Sequence, residues 1–166
     1  NLKQAAKTMN FLTEHGISNY GELESKLTAL SARRDTSHAE IKRVESRSAE
    51  LALVMKHAGT YRQLKPLYDR YRRSNDKEKF LRGHESEIIL FEAAARELKR
   101  LGAVPLPTTE SMKTELANLS AEKERLLAEY KTARTEAQEY ETVKQNVDAL
   151  LAVPKEQEQQ RRHELE

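Results

Sequence analysis

LESKLTALSARRDTSHAEIKRVESRSAELALVMKHA, residues 23–58, decides the fold. Its apolar positions run Leu23, Leu27, Leu30, Arg34, Ser37, Ile41, Val44, Ser48, Leu51, Met55 and Ala58, alternating steps of four and three. That is the 3.5-residue period that keeps one seam of a helix turned toward a partner helix. Three of the eleven positions are polar, and the register survives them. A second run has the same spacing: Met112, Leu116, Leu119, Lys123, Leu126, Tyr130, Ala133, Ala137, Tyr140, Lys144, Val147 and Leu151. Two seams of matched length, joined by a connector of roughly fifty residues, predict an all-α protein. The architecture expected is an elongated antiparallel helical hairpin with coiled-coil-like arms and a small helical tip. Parallel self-pairing of each arm between two chains is the rival geometry.

Punctuation sets the expected boundaries. A first helix covers 1–16, with Leu2, Ala5, Ala6, Met9 and Leu12 on one face and Gly16 as its left-handed stop. Asn19, with Glu22 three residues on, opens an outgoing arm over 19–58. Gly59 and Pro66 speak against one straight helix through both, so 59–103 reads as a separate basic tip. Within it lie a break near Ser74-Asn75, a capping box from Asn75 to Glu78, and an end at Gly102. Thr108 after Pro107 caps a return arm over 108–152. Pro154 ends that arm, leaving a polar tail over 153–166. The chain opens at Asn1 without Met and closes on Leu165-Glu166, an ending of the kind cloning leaves, and is expected to be part of something longer.

Composition agrees with long paired helices. Apolar residues are 37%, aromatics 5% and charged residues 34% of the chain, against about 45–50% apolar and about 25% charged in an ordinary globule. A narrow apolar stripe under a large solvated surface accounts for the difference. The absence of cysteine removes disulfides and thiolate chemistry and fits a cytoplasmic setting. No apolar run approaches the roughly 20 residues that span a bilayer, so no membrane insertion is expected.

Chemistry is sparse. His15, His38, His57, His84 and His163 include no pair two to four residues apart, so one helical turn supplies no ligand pair. His57 and His84 each adjoin a break and could approach one another, but the favoured reading leaves the histidines on the surface. The glycines are isolated, excluding a phosphate-cradling loop, and carboxylates such as Glu40, Glu45 and Glu50 sit beside Lys42, Arg43 and Arg47 as solvated surface charge. No catalytic residue, metal site, cofactor or small-molecule substrate is expected in this segment.

Charge is unevenly placed. Residues 56–82 carry nine basic groups against Asp69, Asp76 and Glu78, a net +6 in a chain whose total is +2. Arg62, Lys65, Arg70, Arg72, Arg73, Lys77, Lys79 and Arg82 are therefore candidates for contact with DNA phosphates. Tyr61, Tyr68 and Tyr71, interleaved among them, are candidates for base stacking. The competing reading packs the tyrosines under the tip and leaves the cations solvated.

Several separate blocks carry a resemblance. They are Asn1-Leu2-Lys3-Gln4-Ala5-Ala6-Lys7-Thr8-Met9-Asn10-Phe11-Leu12 with Glu14-His15-Gly16-Ile17, then Tyr61-Arg62 with Lys65-Pro66 and Tyr68. Asp76-Lys77-Glu78-Lys79-Phe80, His84-Glu85-Ser86-Glu87-Ile88-Ile89-Leu90 and Val143-Lys144-Gln145-Asn146-Val147-Asp148 follow. Over about residues 1–151 the chain resembles the helical stretch that follows the nuclease domain in bacterial mobilization relaxases. That resemblance implies an accessory domain on a protein that nicks DNA at a transfer origin of a plasmid or mobile element. The nicking tyrosine and the metal-binding histidines of that family have no counterpart here: there is no His-x-His, and the tyrosines occupy helix-face positions. The partners implied are DNA, other proteins of the transfer complex, or a second copy. A coiled-coil spacer for protein interaction, without DNA affinity, is the alternative.

Overall fold

The computed structural model describes the backbone of residues 1–165 and the side chains of 1–152 and 159–165. The order of elements is α1 (Leu2–Glu14), α2 (Tyr20–Arg73), α3 (Lys77–Arg100) and α4 (Thr109–Leu165), with no strand among the described residues. Two compact units divide the chain, Asn1–Glu40 with Arg125–Glu166, and Ile41–Glu124. The sequence places a helix end at Pro154; its side chain, with the rest of 153–158 and Glu166, lies outside the described residues, and the bounds of α4 reach Leu165.

In the first unit α2 and α4 run antiparallel. Tyr20 hydrogen-bonds Asp148 at 2.6 Å, and further along the ring of His38 lies 5.8 Å from that of Tyr130, so one number rises as the other falls. Leu23, Leu30, Ala137, Tyr140 and Val143 form the core, with Phe11, Leu12, Ile17, Leu27 and Val147 packed on it. Every seam position of this stretch is at least half-buried except Leu151, which the heptad count places inside and the structure leaves exposed.

α1 leans on this pair by a face rotated from the one its hydrophobicity predicts, keeping Ala5 and Leu12 half-buried. Leu2 is 91% and Met9 58% exposed, while Thr8 is buried. Thr8 tolerates burial because its hydroxyl is fully used: Oγ1 donates to the Gln4 carbonyl at 3.0 Å and accepts from Asn146 Nδ2 at 3.4 Å. Gln4 Nε2 adds a 2.9 Å bond to Asn146 Oδ1. The end of α1 is a Schellman motif at Gly16, φ +66°, in which Ile17 N donates to the Leu12 carbonyl at 2.9 Å and Gly16 N to that of Thr13 at 3.2 Å. Asn19 then caps α2, accepting from Glu22 N at 2.9 Å. The Glu22 carboxylate reaches back one residue further than in the standard box, to Ser18 N at 2.7 Å.

In the second unit α2 and α4 are again antiparallel, cross-linked by Arg43–Glu122 at 2.6 Å, Arg47–Glu115 at 2.7 Å and Lys123–Glu45 at 3.6 Å. Ile41, Val44, Leu51, Val54 and Ala58 of α2 and Met112 and Leu119 of α4 are buried. α3 adds Ile88, Phe91, Ala94 and Leu98.

Two expectations for 59–103 need correction. α2 does not stop near Gly59; it continues to Arg73 through Pro66. Pro66 is exposed, so the Arg62 carbonyl that loses its i+4 donor faces water, and one missing bond does not end a helix of 54 residues. The break at Ser74 stands, but the cap of α3 is Asp76 and not Asn75. Asp76 Oδ1 accepts from Lys79 N at 3.1 Å, and a carboxylate at a helix N-terminus also meets the positive end of the dipole. Within α3 a single residue, His84, leaves helical geometry at φ −137°, ψ 24°. The predicted stop at Gly102 is a second Schellman motif: φ is +70°, with Ala103 N on the Leu98 carbonyl at 2.9 Å and Gly102 N on that of Lys99 at 3.1 Å. Thr108 caps α4 through Ser111 N at 3.1 Å.

Candidate functional site

The densest block of positive charge surrounds the three-residue connection Ser74–Asp76 between α2 and α3. Ser74 shapes the turn: its hydroxyl accepts from Asp76 N at 3.2 Å and donates to the Asp76 carbonyl at 3.1 Å. With so short a link, the cations ending α2 and those beginning α3 share one end of this unit.

Four of the eight cationic candidates serve the fold. Arg62 donates to the Pro107 carbonyl at 2.6 Å and to Thr109 Oγ1 at 2.8 Å, fastening the start of α4 to α2. Lys65 pairs with Asp69 at 3.1 Å one helical turn on. The Arg70 guanidinium lies 5.6 Å from the centre of the Phe80 ring. Arg73 Nε donates to the Asp69 carbonyl at 3.2 Å, where a cation also suits the negative end of the helix dipole. Arg72, Lys77, Lys79 and Arg82 are exposed, and their side chains have no partner among the described residues.

The three stacking candidates lie inside a ladder of rings. Tyr61 stacks on Phe91 at 4.8 Å, Phe91 on Tyr68 at 4.2 Å, and Tyr68 meets Tyr71 at 5.9 Å. Tyr71 lies 6.0 Å from Phe80, which lies 4.6 Å from the ring of His84. Phe91 is buried and the other five are half-buried. Aromatic pairs at these separations are favourable in their own right. The ladder joins α2 to α3, and the hint of it in the sequence is the reading that packs the tyrosines under the tip.

His57 and His84 are each occupied elsewhere. His84 Nδ1 lies 3.8 Å from Glu87, and His57 adds to the field around Glu97, whose carboxyl is held below its ordinary range chiefly by the hydrogen bond from Arg100. Among the described residues, no group of three or more His, Asp or Glu side chains is placed to hold a metal ion. No helix among them is long and apolar enough to cross a membrane. The concavities are shallow. One, lined by Arg34, His38, Tyr130 and Arg134, lies open on the first unit; another, lined by Leu51, Leu101, Met112 and Glu115, lies in the second.

No family model matches this chain, and neither curated proteins nor solved structures give a match.

Proposed function

We propose that this chain is a non-catalytic accessory helical domain of a DNA-mobilization relaxase, acting in the cytoplasm in DNA contact or relaxosome assembly during conjugative transfer. The resemblance of residues 1–151 supplies the context. The observation that carries DNA contact is the set Arg72, Lys77, Lys79 and Arg82: four exposed, unpartnered cations around one short turn. Long flexible cations without internal partners are what phosphates displace counterions to reach. Arg70 and Arg73 belong to the scaffold of the turn, so charge reversal there confounds binding with folding.

The test is a DNA titration at 50 and 200 mM salt with the chain and with a variant carrying R72E, K77E, K79E and R82E. Four phosphate contacts give a log–log slope near about −3.6 and a loss of roughly 100-fold in affinity over that range. A variant that keeps its helical circular dichroism and binds DNA as tightly as the parent refutes the assignment.

A second reading, a spacer or protein-interaction element without DNA affinity, rests on Ile89 and Leu90. These neighbours on α3 are 53% and 55% exposed, a costly placement for two large apolar side chains unless something covers them. It predicts no DNA binding at moderate salt and a self-associated or partner-bound species in sedimentation.

A further inference from the structure

Resting on the DNA-contact reading above, we infer that the ligand of the α2–α3 turn is double-stranded DNA, gripped by its phosphates alone, and that the turn does not stack bases. Proteins that hold single strands combine a cationic track with aromatic faces on which successive bases lie. This turn has the cations, but its rings are half-buried or buried and engaged with one another. Tyr61, Phe91, Tyr68, Tyr71, Phe80 and His84 form one continuous ladder, each ring against the next at 4.2–6.0 Å. Phe80 also has Arg70 near its ring, 5.6 Å from the centre. A base stacking between neighbouring rings would have to displace one that ties α2 to α3.

What remains is charge, and charge alone prefers the denser polyanion. A duplex presents one negative charge per about 1.7 Å of axis, a single strand about half that density. The four cations flank a three-residue link and lie on the ends of two helices, the geometry of a projecting turn rather than of two walls facing one another. Arg72, Lys77, Lys79 and Arg82 have no partner among the described residues to hold them in the fixed geometry that reading a base edge needs. Binding is therefore indifferent to sequence.

Fluorescence-anisotropy titration of the whole chain with a 20-base-pair duplex and with each of its strands, at 100 mM salt, tests this. The duplex is expected to bind on the order of three- to ten-fold tighter than either strand, with unchanged affinity for a duplex of shuffled sequence. A single strand bound as tightly as the duplex, or tighter, overturns the inference and leaves DNA contact standing. Failure of every nucleic acid to bind overturns both. A duplex preference that survives the R72E, K77E, K79E and R82E variant places the contact elsewhere and overturns the assignment to this turn.

Discussion

Each unit has a third helix resting on the α2–α4 pair, and the two are held in opposite ways. α3 buries Ile88, Phe91, Ala94 and Leu98 and adds the ring ladder. α1 buries only Thr8, supplements it with half-buried Phe11 and Leu12, and relies on side-chain hydrogen bonds to Asn146. Phe11 contributes an edge-on contact with Tyr140 at 5.1 Å. Both helices nonetheless end in the same Schellman geometry, so the local instructions are alike and the difference is in burial. Apolar area removed from water scales into kilocalories, whereas a hydrogen bond exchanged with water contributes little net. α3 is accordingly part of the core of its unit, and α1 is a lightly attached brace.

The largest expected effect is Leu98→Ala, which empties a site 2% exposed and lowers stability in urea unfolding by about 2–5 kcal/mol. Thr8→Ala removes the acceptor of Asn146 and costs about 1 kcal/mol. If it destabilises the chain as much as Leu98→Ala does, the contrast between brace and core is wrong. The glycines sharpen it further. Gly102→Ala forces a side chain into φ +70° and costs about 1 kcal/mol, whereas Gly59→Ala, inside α2 with open space around its new methyl, stabilises by about 0.5–1 kcal/mol. Opposite signs in paired thermal melts are the check. The smallest effect is electrostatic. Arg100→Met removes the main cause of the depressed Glu97 carboxyl, so its midpoint rises toward the ordinary carboxylate range in an NMR titration. In the parent that exposed pair is strongest above the ordinary carboxylate pKa and weakens as pH falls through the lowered one.

Much of the fold was legible because seam burial and capping are short-range. The eleven positions from Leu23 to Ala58 are all buried or half-buried, and Gly16, Asn19, Gly102 and Thr108 punctuate where their chemistry requires. What escaped needed tertiary knowledge. A 3.6-residue apolar face on α1 pointed to Leu2 and Met9, but Asn146, 138 residues from Thr8, selects the polar side. Pro66 spoke against one continuous helix because its outward direction is invisible in a string. The positive block of the candidate site was countable from composition. Which cations in it were already engaged was not, because Arg62 finds Pro107 and Thr109 across 45 and 47 residues.

His84 carries one more consequence. A helix resists bending through its regular run of backbone hydrogen bonds, and His84, at φ −137°, departs from the dihedrals that keep that run regular. On one side lie Lys77, Lys79 and Arg82; on the other, the anchored stretch from Ile88 to Leu98. The interruption is expected to act as a compliant joint between the first turns of α3 and its anchored half. Deuterium uptake should accordingly be faster in 77–83 than in 88–98.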